Sequence, residues 1–220
     1  MVTIEELLDL SKTIAAPLFE GKTYPWEVLD DIKAYILELG PTLPADDFDN
    51  PSEGVWIAKD AKVFPSAYIG APCIIDHGAE VRHCAFIRSS AIVGKNAVVG
   101  NSCELKNVVL FDNVQTPHYN YVGDSVLGYK AHMGAGSITS NVKSDKTLVV
   151  VHQPGAPIET GRKKFGAILG DNVEVGCNSV CNPGTVIGRH SNIYPTSCVR
   201  GVVPENSIYK DNGVIVAKHD

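Results

Sequence analysis

The stretch "IGAPCIIDHGAEVRHCAFIRSSAIVGKNAVVG" (Ile69–Gly100) places a branched aliphatic residue at every sixth position. The apolar series runs without a break from Ile57 to Phe111, and a small or apolar residue follows each member by four positions, from Ala61 to Val109. A period of six fits neither the 3.6-residue helix nor the simple alternation of a half-buried strand. It is the signature of a hexapeptide β-helix, in which three hexads make one coil of roughly 18 residues.

The fold class predicted from this period is all-β: a left-handed parallel β-helix of hexapeptide repeats with a short N-terminal helical segment and one inserted arm. After a four-residue change of register around His118, the apolar series returns at Leu127, and it continues in that register from Leu169. Between them lies the arm, "NVKSDKTLVVVHQPGAPIETGRKKFG" (Asn141–Gly166). The predicted organisation is an N-terminal helical cap and linker over 1–50, a β-helix over 51–204 with the arm at 141–166, and a closing segment over 205–220.

Two helices are predicted before the repeat. The first begins at Thr3, which has Glu6 in capping-box spacing, and runs to Phe19 with apolar residues along one face. The second begins at Pro25 and stops at Gly40. We expect them to pack on the coil wall or to cap its open end, because an uncovered end exposes unpaired strand edges.

Composition excludes some partners and indicates a compartment. The net charge of −6 argues against nucleic acid, and no apolar run approaches the roughly 18 residues of a membrane span. The N-terminus lacks the basic and apolar regions of a signal peptide. The six cysteines show no CxxC spacing, as expected for incidental thiols in a reducing compartment. We therefore expect a cytoplasmic protein with no metal, no membrane contact and no nucleic-acid partner.

Four segments carry a more specific resemblance: "CELKNVVL" (103–110), "TPHYNYVGDSVLG" (116–128), "HMGAGSITSN" (132–141) and "KKFGAILGDNVEVG" (163–176). In order and spacing they resemble the acetyltransferase half of the bifunctional N-acetylglucosamine-1-phosphate uridyltransferase/glucosamine-1-phosphate acetyltransferase family. They are more similar still to archaeal sugar-1-phosphate nucleotidylyltransferases with the same C-terminal domain. Residues 1–50 hold no glycine-rich nucleotide loop, so we expect no nucleotidyl transfer by this chain.

The resemblance implies an acetyl-CoA-dependent N-acyltransferase acting on an amino-sugar 1-phosphate. His118 matches the family's general base, a role that suits an imidazole with its ordinary pKa near 6.5. The acceptor-binding residues would be Arg88, Lys106, Tyr121, Asn141 and Lys164. Lys164 matches a lysine that reaches the site from a neighbouring subunit, and Lys163 is an equal candidate. Because Arg88 and Lys106 are 18 apart, we expect their side chains to stack and clamp a phosphate.

The donor would lie in the groove between adjacent subunits of a homotrimer. The resemblance implies that small residues there let the pantetheine thioester approach, with a backbone N–H to stabilise the oxyanion. The predicted cofactor-binding residues are His132, Gly134, Ala135, Ala167 and Cys177.

Three departures from the family's pattern leave the substrate open. His132 replaces an asparagine, Val142 replaces a tyrosine, and Cys177 replaces a serine. His132 is expected either to orient His118, to contact donor or acceptor, or to be plain surface. The loss of the aromatic ring at Val142 favours a different amino sugar.

Two other functions remain as alternatives. One is a non-catalytic β-helix that binds a sugar nucleotide or serves as a scaffold. The other is zinc-dependent carbonic anhydrase chemistry on the same fold, but His77 and His83 are only six apart and lie on adjacent faces rather than stacked. The sequence leaves open the acceptor, and whether a separate uridyltransferase is a partner.

Overall fold

A computed structural model describes residues 2–218, except the side chain of Asn212. From Val55 onwards the chain winds into coils whose short strands pair in parallel with the strands one coil away, as Val63 pairs with Val81 and Val81 with Val99. The predicted fold class, a left-handed parallel β-helix of hexapeptide repeats, is confirmed. In the described range, no helix is long and apolar enough to cross a membrane.

Each coil has three faces. Face 1 holds the strands Val55–Ala58, Cys73–Ile75, Ala167–Leu169, Thr185–Ile187 and Val202–Val203. Face 2 holds Lys62–Val63, Glu80–Val81, Val98–Asn101, Gln115–His118, His132–Met133, Glu174–Val175, Asn192–Ile193 and Ser207–Tyr209. Face 3 holds Tyr68–Ile69, Ile138–Thr139, Val180–Cys181 and Cys198–Val199, and three longer strands turn from face 3 onto face 1: Phe86–Val93, Glu104–Leu110 and Tyr121–Leu127.

Antiparallel strands flank the coils and stiffen the arm. Phe48–Ser52 pairs with the first strand of face 1, and Ile215–Ala217 pairs with the last strand of face 2. In the arm, Val150–Val151 pairs with Ile158–Glu159. The backbone groups that the terminal coils would leave unpaired are thereby partly satisfied.

The register change is spread over two shortened coils and is not confined to His118. Most register partners are 18 residues apart, but Leu110 pairs with Val93 and Leu127 with Leu110, a spacing of 17. The first residue is lost at a bulge between Ile87 and Ser89. The prediction that Phe111 continues the stacked series is therefore wrong: Leu110 takes that position, and the ring of Phe111 packs edge-on against Phe19 at 5.7 Å between centroids.

The N-terminal segment, residues 2–47, lies along face 1. It contains the helices Ile4–Leu7 and Ile32–Leu39 and the 3₁₀ turns Leu10–Lys12, Ala16–Phe19, Pro25–Asp30 and Gly40–Thr42. The helix Ile32–Leu39 packs on two of the long strands, Phe86–Val93 and Glu104–Leu110. The segment covers the outward apolar residues of face 1, all of which are fully buried: Ile74, Ile92, Val109, Val126 and Ile168.

The first predicted helix is wrong beyond Leu7. There the backbone leaves the helix to bond the coil wall: the Asp171 N–H donates to the Leu7 carbonyl at 3.0 Å, and the Asp112 N–H donates to the Lys12 carbonyl at 3.0 Å. The Asp9 N–H also donates to the Asp171 carboxylate at 2.8 Å. These tertiary bonds replace helical ones, so packing outweighs the local helical periodicity.

Candidate active site

His118 ends the strand Gln115–His118 at the corner between faces 2 and 3, here called the histidine corner. Its side chain is exposed, and the imidazole has no hydrogen-bond partner among residues 2–218. Its backbone is held firmly: the N–H donates to Asn120 Oδ1 at 3.2 Å, and the carbonyl accepts from the Gly136 N–H at 3.0 Å. Asn120 is buried and donates to the Gly134 and Ser137 carbonyls at 2.9 and 3.0 Å. The imidazole is therefore presented to solvent from a rigid turn.

Three predicted site residues stack near His118 on the same corner. Gly134 and Ala135 lie one coil beyond His118, and the Asn178 N–H of the next coil donates to the Ala135 carbonyl at 2.9 Å. Cys177, exposed, lies on that next coil. A Cβ at Gly134 would stand 2.6 Å from the Cys177 backbone nitrogen, so only glycine allows this approach of the two coils.

The other two predicted donor-binding residues lie elsewhere. His132 is on face 2, with Nδ1 2.7 Å from Glu174 Oε2, so its ring engages that carboxylate and not His118. Ala167 is fully buried at the start of a face 1 strand, where its N–H donates to Ser125 Oγ at 3.0 Å. The structure does not bring Ala167 to the histidine corner.

At the opposite edge of face 3 lies the arm corner, the turn that leads onto face 1 and from which the arm emerges. Asp124, only 4% exposed in its side chain, organises it. Its Oδ1 accepts from Lys106 Nζ at 2.8 Å and from Asn107 Nδ2 at 3.0 Å, and its Oδ2 accepts from Asn141 Nδ2 at 2.5 Å. Two predicted acceptor-binding residues are thus joined through a carboxylate that sequence reasoning missed.

Tyr121, on face 3, borders this cluster. Burial raises the pKa of its phenol, and the carboxylates of Asp124 and Glu104 raise it further. A hydrogen bond from Asn141 and the charge of Arg88 act in the opposite direction. Face 3 therefore runs from the His118 imidazole past a neutral phenol to the polar arm corner.

Arg88 and Lys106 do not form the predicted stacked pair. Because Arg88 is left without a register partner at the bulge, Lys106 pairs with Ser89 instead of Arg88. Arg88 Nη1 lies 3.0 Å from Glu104 Oε1, whereas Lys106 turns to Asp124. Each cation has its own carboxylate partner.

An open cleft of about 430 Å³ lies between the arm corner, the arm and the N-terminal segment. Its charged lining is Asp30 and Lys33 from the N-terminal segment, Lys106 and Asp124 from the coils, and Arg162, Lys163 and Lys164 from the arm. Lys164 thus shares a cleft with Lys106 of its own chain, whereas the resemblance implied a neighbouring subunit. Asp124, in the motif "VGDS", could have been predicted as a site residue, because it lies 18 residues after Lys106 in the sequence. No spacing or motif in the sequence indicates that Asp30 or Lys33 belongs to the site.

A metal site finds no support in the described part of the chain, where no group of three or more histidine, cysteine, aspartate or glutamate side chains is placed to hold an ion. His77 Nδ1 lies 2.9 Å from Asp60 Oδ1, and His83 Nδ1 lies 2.8 Å from Ser66 Oγ. The two histidines proposed for the zinc alternative therefore have separate partners.

The fold and repeat define a hexapeptide-repeat β-helix protein, and comparison with known families makes this specific. Residues 69–215 match the family described as the GMPPB C-terminal domain. The match spans more than half of the chain, so the chain belongs to the GMPPB C-terminal domain family. The helical N-terminal segment lies outside the matched residues.

Curated relatives share sequence over about half of this chain. The "Bifunctional protein GlmU" of Methanococcus maripaludis strain C5 is 36% identical over 118 residues, covering 53% of this chain and 28% of that protein. The "Bifunctional sugar-1-phosphate nucleotidylyltransferase/acetyltransferase" of Sulfurisphaera tokodaii is 37% identical over 109 residues, covering 50% of this chain and 27% of that protein. The resemblance seen in the four segments is confirmed. The matched region covers 28% and 27% of the length of these two relatives.

Solved structures with the same kind of coil are more distant. The acetyltransferase domain of PglB from Neisseria gonorrhoeae aligns with a TM-score of 0.36 and 18% identity, covering 80% of this chain and 64% of that one. PerB from Caulobacter crescentus, solved with CoA and GDP-perosamine, aligns with a TM-score of 0.28 and 18% identity, covering 74% and 56%.

Proposed function

We propose that this chain is an acetyl-CoA-dependent N-acyltransferase that acts on an amino-sugar 1-phosphate, with His118 as general base. The reaction class is supported by a curated relative named "Bifunctional sugar-1-phosphate nucleotidylyltransferase/acetyltransferase". The observation that carries the proposal is the exposed imidazole of His118, which has no partner among the described residues and lies one coil from Gly134 and Ala135.

In the proposed reaction the acceptor nitrogen attacks the thioester carbonyl of acetyl-CoA. The imidazole of His118 takes a proton from that nitrogen as the N–C bond forms. The C–S bond then breaks, and the CoA sulfur leaves with a proton returned from the imidazolium. A backbone N–H at the Gly134–Ala135 turn would stabilise the oxyanion. The donor would lie along the histidine corner, past Gly134, Ala135 and Cys177.

The acceptor would lie across face 3, with its amine at His118 and its phosphate toward the arm corner. Tyr121 and Asn141 would contact the sugar, and Lys106 and Lys164 would face the phosphate. Arg88 is assigned no phosphate contact, because its guanidinium engages Glu104. His132 and Ala167 are assigned no direct contact with donor or acceptor. The ring of His132 lies against the Glu174 carboxylate, and Ala167 is buried inside the coil.

We further propose a homotrimer with face 3 toward the neighbouring subunit. Face 1 is covered by the N-terminal segment, and face 2 presents charged side chains such as Lys62 and Glu80. Face 3 instead presents a column of register partners that is mostly apolar: Tyr68, Phe86, Glu104, Tyr121, Ile138, Val180 and Cys198. Tyr68 and Phe86 are 61% and 42% exposed, and an aromatic surface of this kind fits a second copy of the chain.

We propose a cytoplasmic location because the cysteines form no disulfides. All six cysteines are free, three of them buried. A reducing compartment keeps such thiols unpaired.

One observation favours the second candidate, a non-catalytic sugar-nucleotide-binding or scaffold β-helix. Both cations expected to hold the acceptor phosphate, Arg88 and Lys106, already engage carboxylates at 3.0 and 2.8 Å. A ligand phosphate would have to compete with Glu104 and Asp124. In a scaffold these ion pairs would need no rearrangement.

A thiol-release assay with acetyl-CoA and a panel of amino sugars separates the two candidates. The panel contains amino-sugar 1-phosphates, nucleotide-linked amino sugars and the free amino sugars. Transfer to at least one phosphate-bearing amine, with the acetylated product seen by mass spectrometry, is the expected result. Absence of turnover on every amine would contradict the enzyme proposal and leave the scaffold.

A further inference from the structure

The cleft between the arm and the N-terminal segment has an unusual charge balance for this protein. Three of its lysines, Lys33, Lys163 and Lys164, have no carboxylate partner among residues 2–218. Its two other cations, Lys106 and Arg162, are paired with Asp124 and Asp30. Three uncompensated positive charges therefore face one cleft in a chain whose net charge is −6. Such a field attracts anionic ligands.

The amount of charge indicates what kind of anion fits. A phosphate monoester carries a charge of roughly −1.5 to −2, so the three lysines carry more positive charge than one phosphate neutralises. The cleft volume of about 430 Å³ also lies in the range of small-molecule sites and exceeds the needs of one phosphate group. The uncompensated lysines come from the arm and from the N-terminal segment, and thus from two sides of the cleft.

We propose that this cleft binds a diphosphate group, with Lys33 of the N-terminal segment as one of its binding residues. The inference rests on the proposed acetyl transfer and changes its acceptor: the sugar's 1-phosphate becomes part of a diphosphate that links the amino sugar to a further group. Lys33 lies on the exposed side of the helix Ile32–Leu39, whose apolar residues Ile32 and Ile36 are fully buried against the coils. The N-terminal segment, outside the family match, thus supplies part of the specificity.

Asp30 positions the arm over this cleft. Its carboxylate accepts from Arg162 Nη1 at 2.8 Å and from Arg162 Nη2 at 2.5 Å, a two-bond contact between the N-terminal segment and the arm. Arginine forks of this kind fix orientation as well as adding energy. Because Arg162 is followed directly by Lys163 and Lys164, the ion pair holds both lysines at the cleft.

Calorimetric titration of the whole chain with inorganic pyrophosphate and with inorganic phosphate tests the site without any turnover. Pyrophosphate is expected to bind at least tenfold more tightly than phosphate. Lys33→Met is expected to weaken pyrophosphate binding by roughly five- to tenfold, because it removes one charge-assisted contact. The control is Lys62→Met, an exposed lysine on face 2, which should leave the affinity within about twofold. Equal binding by wild type and Lys33→Met, with unchanged thermal unfolding, would overturn the assignment of Lys33.

Substitution of Asp30 gives a second test, because a positioning role and a purely electrostatic role predict opposite changes in pyrophosphate affinity. Asp30→Asn removes a negative charge from the cleft and would tighten pyrophosphate binding if net charge alone governed. A positioning role predicts weaker binding, with recovery in Asp30→Glu. Tighter binding in Asp30→Asn would overturn the positioning role. Should no amine be acetylated while pyrophosphate still binds through Lys33, the proposed function fails and the cleft assignment stands.

Discussion

Replacing Asp124 by asparagine tests whether the arm corner is organised by a buried charge. The carboxylate is 4% exposed and receives hydrogen bonds from Lys106, Asn107 and Asn141. Asparagine has the same shape and tolerates the positive φ of 47° at this position. Its Nδ2, however, must face at least one of these donors, and the positive charge of Lys106 loses its partner. The substitution therefore removes charge and acceptor capacity and leaves the backbone in place.

The expected loss of stability follows from these contacts. A hydrogen bond to a charged group contributes about 1.5–3 kcal/mol, and breaking a buried ion pair costs about 3–5 kcal/mol. Lys106 is 24% exposed and can reach water, so the cost falls toward the lower end, about 2–3 kcal/mol. For a chain of this size each kcal/mol lowers Tm by roughly 2–4 °C, which predicts a fall of roughly 4–12 °C.

Scanning calorimetry at pH 7 measures this fall directly. The matched control is Asp46→Asn, whose exposed carboxylate has no side-chain partner in the described range, and whose Tm should stay within about 2 °C of wild type. A Tm for Asp124→Asn equal to that of Asp46→Asn would refute the claim that the Asp124 carboxylate holds the arm corner together.

Two further outcomes are expected from other buried groups. Asp76 is 1% exposed and its Oδ2 has no partner among the described residues; burial raises the pKa of this carboxyl, while the His77 N–H and the charge of Lys95 oppose the shift. Because the folded state then holds the proton more tightly than the unfolded state, stability is lost as pH rises through the folded pKa. Asp76→Asn should therefore raise Tm at pH 7, with the difference narrowing toward pH 4; a lower Tm than wild type at pH 7 would contradict this. Among the thiols, burial raises the pKa of Cys73 and of Cys181 to about 12, whereas Cys84, Cys177 and Cys198 are exposed. In the native protein Cys84 and Cys177 should react quickly with an aromatic disulfide reagent, Cys198 should react more slowly because the proposed trimer covers face 3, and all six thiols should react after denaturation. Acetyl-CoA should protect Cys177 but not Cys84; equal reaction of Cys73 with Cys84 would be inconsistent with the structure.

The six-residue period predicted the β-helix because each interior position imposes the same demand for an apolar side chain, coil after coil. The same reasoning misplaced Phe111, because the strand Glu104–Leu110 has one residue fewer than the strand it pairs with, and every later position moves by one. A pattern of apolar residues does not show where that residue is missing. The helix predicted to run to Phe19 was wrong because Leu7 and Lys12 give their carbonyls to the coil wall. Local periodicity cannot report such long-range bonds.

The sequence predicted the residues of the histidine corner but not Asp30 and Lys33, for a similar reason. His118, Gly134 and Ala135 meet at one corner because residues near 18 apart stack in a β-helix. Cys177 joins them 42 positions after Ala135, because the arm is inserted between those two coils. Asp30 and Lys33 reach the arm from a segment more than 100 residues away in sequence, joined by the Arg162 ion pair. A side chain that enters the site through tertiary packing alone carries no spacing signal.

The central claim is that His118 serves as the base in acetyl transfer, and its most direct test is the rate of CoA release in His118→Ala. We expect a loss of roughly 10²–10⁴-fold in kcat with acetyl-CoA affinity retained, because general-base catalysis contributes about that much. His83→Ala, at the same corner on an earlier coil, is predicted to keep the wild-type rate. An unchanged kcat in His118→Ala would contradict the claim.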